Sequence, residues 1–402
     1  MSTVADGRSL RTGWFELVLL AAAQLMLVLD VTVVNVALPD LVRDLHAPAA
    51  QSGLVIVVYG ALFGGLLLVG GRAADRFGPR RVLLVGLVLF TGASLLAGFS
   101  VSMPMLLGAR AVQGIGAALL SPSALASLTL RFDGAARTRA LGAWAAVGGI
   151  GSALGVILGG LLTAGPGWRW IFFLNVPIGV LVLAVLPLIP TPVRRSGRTA
   201  GALATIGLLL RRQTVQAGTV AMLAATGLLV GSFFLASFTL QRALGWSPLQ
   251  TGLAFLPMAI GTLAGAHMAG HGIAHIGSKP LVAAAFVLAG LGIGVGITAG
   301  QPFILIAGLT VASAGIGAAF VAAGVTSLSG VEQGRAGVAS ALLNTAHELG
   351  GAAAVWALTA VAGAALQVGF AGLAALGFIA AAVMTVLMPS IKPKAGSARF
   401  VH

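Results

Sequence analysis

The chain contains no cysteine among its 402 residues. That excludes disulfides, thiolate chemistry and cysteine-ligated metal. Charge is nearly as scarce. Only 8% of residues are Asp, Glu, Lys or Arg, against about 25% in an ordinary soluble domain. A phosphate-binding GxxxxGK, a nucleophile elbow and an HExxH helix are all missing. ATP is therefore not the expected energy source, no cofactor is expected, and the chain is read as no enzyme. No cleavable signal peptide is expected either. Arg8 and Arg11 precede an apolar run, but it exceeds the about 7–15 residues of a signal core.

What the chain has instead is apolar sequence. Hydrophobic residues make up 58% and the mean hydropathy is +1.05. A membrane-spanning helix needs about 20 apolar residues. Such runs occupy 14–38, 51–71, 81–100, 102–126, 139–163, 168–190, 214–240, 249–271, 280–300, 302–328, 337–366 and 368–389. The pattern predicts an all-α integral membrane protein with twelve transmembrane helices.

The net charge of +14 could point to nucleic acid, but its placement argues against that. Nineteen of the Arg and Lys residues fall on one set of alternating loops and three, Arg43, Arg169 and Arg242, on the other. Arg110 alone is inside a run and away from its ends. The positive-inside rule then places both termini and the central loop in the cytoplasm. The expected location is a bacterial cytoplasmic membrane, with the lipid bilayer rather than nucleic acid as partner.

The second half of the chain repeats the first at an offset of 199 residues. Leu41, Arg43, Leu45, Gln51, Gly53 and Leu54 recur as Leu240, Arg242, Leu244, Gln250, Gly252 and Leu253. Gly71, Gly78 and Gly116 recur as Gly270, Gly277 and Gly315. Two pseudo-symmetric six-helix bundles follow, over 1–190 and 214–402, joined by a cytoplasmic linker at 191–213. Thr199–Leu210 within it is too short to span, and could be a linker or a helix lying in the interface. Parallel repeats of this kind are a transporter design with the site between halves near the midplane.

The repeat is not preserved in its charges. Asp30 matches Leu229, Asp75 matches Ala274, Arg110 matches Leu309 and Gln113 matches Ala312. Asp30 interrupts the run WFELVLLAAAQLMLVLDVTVVNVALP. A charge at bilayer depth costs roughly 2.5–3.5 kcal/mol on insertion scales. Desolvation opposes the ionised form and a nearby cation favours it, a balance that suits a group taking up and releasing a proton. The alternative is a structural acid held by neighbours such as Thr32 or Asn35. Gln113 lies at i+3 from Arg110, so the two share a helix face. Gly151, Gly155 and Gly159 form a small-residue stripe of the kind that lets helices approach closely. His347 and Glu348, with Asn344 one turn away, lie inside the eleventh run and could form a second protonation or substrate-contact site. His267, His271 and His275 recur at i+4 with no acidic or cysteine partner, which favours an interfacial cationic role over a metal site.

LDVTVVNVALP at 29–39, GGRAADRFGPRR at 70–81, RAVQGIGAA at 110–118, WRWIFFLNVPIG at 168–179, GLAFLPMAIG at 252–261 and GVASALLNTAHELGGA at 337–352 resemble the major facilitator superfamily. More narrowly, they are similar to its drug–proton antiporter branch, whose members usually have fourteen spans. The resemblance implies the major facilitator fold, here in a twelve-span version. It implies a proton-coupled exporter of small hydrophobic or amphipathic drugs or natural products, monomeric, associated with multidrug efflux and antibiotic resistance; the single buried acid makes lipophilic cations plausible cargo, and neutral natural products fit an apolar cavity equally well. It places Arg110 in the cavity near Asp30, with Asn35, Gln113 and Asn344 as polar cavity residues. It also implies a conformational latch in the 71–81 loop, formed by Gly71, Asp75, Arg76, Gly78 and Arg80. Asp75 is expected buried and paired with Arg137 or Arg139. The resemblance also implies a hinge at Gly151, Gly155 and Gly159, but the branch's antiporter signature carries Gly-Pro in the fifth span where this chain has Gly155-Val156, which favours packing. Proton-coupled uptake, a dedicated metabolite or lipid exporter, and a non-transporting receptor on the same fold therefore stay open.

Overall fold

The computed structural model describes residues 3–189, 202–295, 297, 301–332, 335–361 and 366–390. The expected all-α architecture is borne out, with no strand among the described residues. Eleven stretches among them are long and apolar enough to cross a membrane. The twelfth expected span is a 26-residue helix, Ala336–Val361, whose apolar character is diluted by Asn344, His347 and Glu348.

The helices cluster into two compact units. The first is built from α1 (Thr3–Asp44), α2 (Leu54–Phe77), α3 (Pro79–Gly98), α4 (Met103–Arg131), α5 (Gly134–Ala164), α6 (Trp170–Phe173) and α7 (Asn175–Val185). The second contains α8 (Ala202–Leu210), α9 (Gln213–Phe238), α11 (Leu256–Ile276), α12 (Ser278–Val295), α13 (Pro302–Leu328), α14 (Ala336–Val361) and α15 (Leu366–Leu387). The short α10 (Pro248–Ala254) lies between α9 and α11 in the chain, and most of it clusters with the first unit.

The 199-residue repeat is legible element by element. In the first unit α4 packs on α2 and α3, and α1 on α5. In the second, α13 packs on α11 and α12, and α9 on α14. Gly78, between α2 and α3, has φ of 91°, and its repeat Gly277 has φ of 85°. A side chain is disfavoured in that left-handed region, so both halves use glycine for the same one-residue turn. At the same offset α8 matches the start of α1. The 199–210 segment is therefore partly helical, over Ala202–Leu210. The rest of the linker, 190–201, lies outside the described residues.

The glycine stripe of α5 faces α1. A Cβ at Gly151 would come within 3.0 Å of Leu25 and Val28, one at Gly159 within 3.1 Å of the Val33 carbonyl, and one at Gly155 would overlap Thr32. α5 runs unbroken through Gly155 and the buried Val156, since no proline removes a backbone donor there.

Candidate functional site

Asp30 is buried in the first unit, with 2% of its surface exposed. Its Oδ2 is ion-paired with Arg110 of α4, whose Nη1 donates to it. Its Oδ1 accepts from Asn175 Nδ2 of α7 at 3.1 Å and from Gln113 Nε2 at 3.2 Å. Gln113 also donates to Ser94 Oγ of α3 at 2.8 Å. Arg110 is equally buried. It donates from Nε to the Val55 carbonyl of α2 and from Nη1 to Gln113 Oε1, both at 3.1 Å. Its guanidinium lies 4.1 Å from the centre of the Tyr59 ring and 5.9 Å from that of Phe172.

Five helices, α1, α2, α3, α4 and α7, thus contribute to one network around the carboxylate. The burial that would penalise either charge alone is offset by pairing and by hydrogen bonds on both sides. Besides Asp30, Arg110 holds the Val55 carbonyl, Gln113 Oε1 and the Tyr59 face.

Of the expected site residues, Asp30, Arg110 and Gln113 come together. Asn35 does not join them. Its Nδ2 bonds back to the Val31 carbonyl at 2.8 Å, and its buried Oδ1 has no hydrogen-bond partner among the described residues. Thr32 likewise bonds the Val28 and Leu29 carbonyls. The idea that Thr32 or Asn35 holds Asp30 is therefore corrected. These side chains satisfy their own helix, and other helices hold the acid. Asn175, Ser94 and Tyr59 were missed. Asn175 did carry a signal, as a lone amide in the apolar 168–190 run. Ser94 and Tyr59 carried none. In the second unit the corresponding positions of the network are Leu229, Met258, Ile293, Leu309, Ala312 and Ala374.

The expected 71–81 loop is instead two helices around one turn residue, because Gly78 reverses the chain and Pro79 opens α3. Gly71 is helical with open space around it. Asp75 is exposed near the end of α2 rather than buried. Arg76 is also exposed and lies over the Phe77 ring at 5.5 Å. Arg80 donates to the carbonyls of Leu186 and Ile189, beyond the end of α7. Arg137 and Arg139 are exposed on α5, and Arg139 lies over Trp14 at 5.9 Å. Arg169 pairs with Asp44 at 2.6 Å and donates to the Ser100 carbonyl at 3.1 Å.

In the second unit, His347 Nδ1 stands 3.0 Å from Thr226 Oγ1, and its ring centre 5.5 Å from that of Phe320. Glu348 is half-buried, and no ion pair to it occurs among the described residues. Asn344 is exposed on the same helix. The rings of His267 and His271 are 5.4 Å apart and, like His275, exposed. No group of three potential metal ligands occurs among the described residues.

Comparison with known proteins agrees with the helical architecture. The family described as the Major Facilitator Superfamily matches residues 20–355. The puromycin resistance protein pur8 of Streptomyces alboniger is 34% identical, over 87% of this chain and 81% of that protein. The cephamycin export protein CmcT of Amycolatopsis lactamdurans is 33% identical, over 94% and 93%. The tetracenomycin C resistance and export protein of Streptomyces glaucescens is 30% identical, over 84% and 74%. Among solved structures, a bacterial homologue of the human lysosomal transporter Spinster, inward-facing and occupied, superposes with a TM-score of 0.79 at 16% identity. It covers 94% of this chain and 97% of that one, which is a likeness of fold.

Proposed function

Because the chain belongs to the major facilitator superfamily, we propose that it exports hydrophobic or amphipathic natural products in exchange for protons, with Asp30 as the group that carries the proton. The observation that carries this reading is the Asp30–Arg110 pair. It is a fully buried ion pair inside spans, held by five helices, in a scaffold whose repeat has apolar residues at the same positions. The names of the relatives, which are resistance and export proteins for puromycin, cephamycin and tetracenomycin C, support the class of cargo.

Asp30 takes a proton when it is open to the outside and releases Arg110 to its remaining partners. It loses the proton when open to the inside, and the pair re-forms. The two charge states favour different arrangements of the helices, which is what alternating access requires. The drive is about 1.36 kcal/mol per pH unit, plus about 2.3 kcal/mol per 100 mV for each net charge entering.

Other parts of the chain take roles around that exchange. Asn35, Gln113 and Asn344 contact the cargo. His347 and Glu348 form a second protonation site. Gly71, Asp75, Arg76, Gly78, Arg80, Arg137 and Arg139 make up a reversible latch, and residues 191–213 link two bundles at 1–190 and 214–402. The protein works as a monomer in a bacterial cytoplasmic membrane with both termini inside. A dedicated exporter of one compound is the second reading, favoured because each of these relatives is named for a single compound.

Expression in a drug-sensitive bacterium tests the proposal. Wild-type protein raises the inhibitory concentration of at least one of puromycin, a cephamycin and tetracenomycin C. The protection disappears with a protonophore and with Asp30→Asn. Protection that survives both treatments contradicts proton exchange at Asp30.

A further inference from the structure

A second acid of α1 is matched by a second arginine of α4. Glu16 has 4% of its surface exposed, and its Oε2 lies 3.3 Å from Arg131 Nε. The contact is an ion pair without a hydrogen bond, since that oxygen has no hydrogen-bond partner among the described residues. The surroundings are shaped for it. Trp14 packs on Phe132 with ring centres 5.3 Å apart. A Cβ at Gly13 would come within 3.3 Å of Arg131 Nε, so the glycine leaves room for the guanidinium.

Glu16 and Asp30 are nearly four helical turns apart, so they share one face of α1 at a separation of about 21 Å. Both face arginines of the same partner helix. A buried ion pair is seldom better for stability than apolar side chains of similar size, and its best-attested use is to fix one register among several. A helix tied to its neighbour at two depths cannot slide or turn. Tied at one, it can pivot.

We infer that the Glu16–Arg131 pair is the fixed tie about which α1 pivots when Asp30 is protonated. Protonation releases the tie at Asp30. The tie at Glu16 keeps that part of α1 seated on the C-terminal end of α4, so the displacement is confined to the part of α1 that carries Asp30. Glu16 and Arg131 are positioning residues for the exchange, an inference that rests on the reading of Asp30 as the proton carrier.

The absence of native cysteine makes a direct test practical in the full-length protein. Val18 and Leu130 are exposed on α1 and α4, and Val18→Cys with Leu130→Cys gives a spin-label pair at this end. Asp30→Asn serves as a fixed mimic of the protonated acid. The expected result is a label distance unchanged by Asp30→Asn while Glu16 and Arg131 are intact, and shifted or broadened by it in Glu16→Gln. In proteoliposomes preloaded with puromycin, Glu16→Gln loses gradient-driven accumulation but keeps downhill exchange, and the swap Glu16→Arg with Arg131→Glu recovers accumulation. Glu16→Asp, which keeps the charge, replaces the Gln variant if that fails to insert, and is expected to lose part of the accumulation. A label pair that moves with Asp30→Asn despite an intact Glu16, or wild-type accumulation by Glu16→Gln, overturns the inference. Wild-type accumulation by Asp30→Asn alone overturns the Asp30 reading and this inference with it.

Discussion

Replacing Asp30 with asparagine keeps the shape of the side chain and removes its charge, and its first effect is on Arg110. The guanidinium, 1% exposed, is left without a counterion. Breaking a buried pair by removing one partner costs about 3–5 kcal/mol. Part of that is offset here. The Val55 carbonyl and Gln113 Oε1, each at 3.1 Å, stay in place. The Tyr59 face at 4.1 Å contributes up to about 2 kcal/mol when desolvated. A net loss of about 1–5 kcal/mol is therefore expected for Asp30→Asn. The double variant Asp30→Asn with Arg110→Met removes both charges, and it recovers to within about 1 kcal/mol of wild type while remaining unable to exchange protons. Unfolding in detergent micelles titrated with dodecyl sulfate, followed by tryptophan fluorescence, measures the four corners of this cycle. The reasoning is refuted if Asp30→Asn is as stable as wild type, or if the double variant is no more stable than Asp30→Asn.

Three further outcomes follow from particular contacts. Gly155→Leu drives a side chain into Thr32, and overpacking of this kind costs about 1–3 kcal/mol; the same titration reads it, and an unchanged midpoint contradicts the close α1–α5 packing. Gly78→Ala costs about 1–3 kcal/mol from the positive-φ backbone alone, because the space around it is open, whereas Gly71→Ala, helical and equally open, gains up to about 1 kcal/mol. Equal responses would contradict the single-residue turn. Glu348→Gln lowers the number of protons moved per substrate without abolishing exchange, read as the ratio of proton to substrate flux; an unchanged ratio removes Glu348 from the coupling.

The fold was largely legible in the sequence because bilayer thickness sets the length of each apolar run and the repeat sets the element order. The centre of the site was legible too. Asp30 and Arg110 are charges where charge is costly, and such residues announce themselves. The rest of the network was hidden because its members are ordinary. A serine such as Ser94 is common in spans, and only the fold brings it beside Gln113. Thr32 and Asn35, near Asp30 in sequence, misled for a geometric reason, since a helix carries them onto other faces where they bond to carbonyls one turn back. Asp75 was expected buried because a loop was expected. With helix up to Phe77, its side chain projects outward. Glu16 lay within the first apolar run at its polar end, and its partner Arg131 is 115 positions away, a pairing no local pattern signals.

The most direct measurement is proton movement in proteoliposomes holding an imposed pH gradient, with a pH-sensitive dye inside and puromycin, a cephamycin or tetracenomycin C added in turn. Wild-type protein is expected to collapse the gradient when a substrate is added, and Asp30→Asn is expected to leave it standing while still binding that substrate. Substrate-triggered proton movement that persists in Asp30→Asn, or substrate transport by the wild type with no proton movement, would contradict proton exchange through Asp30.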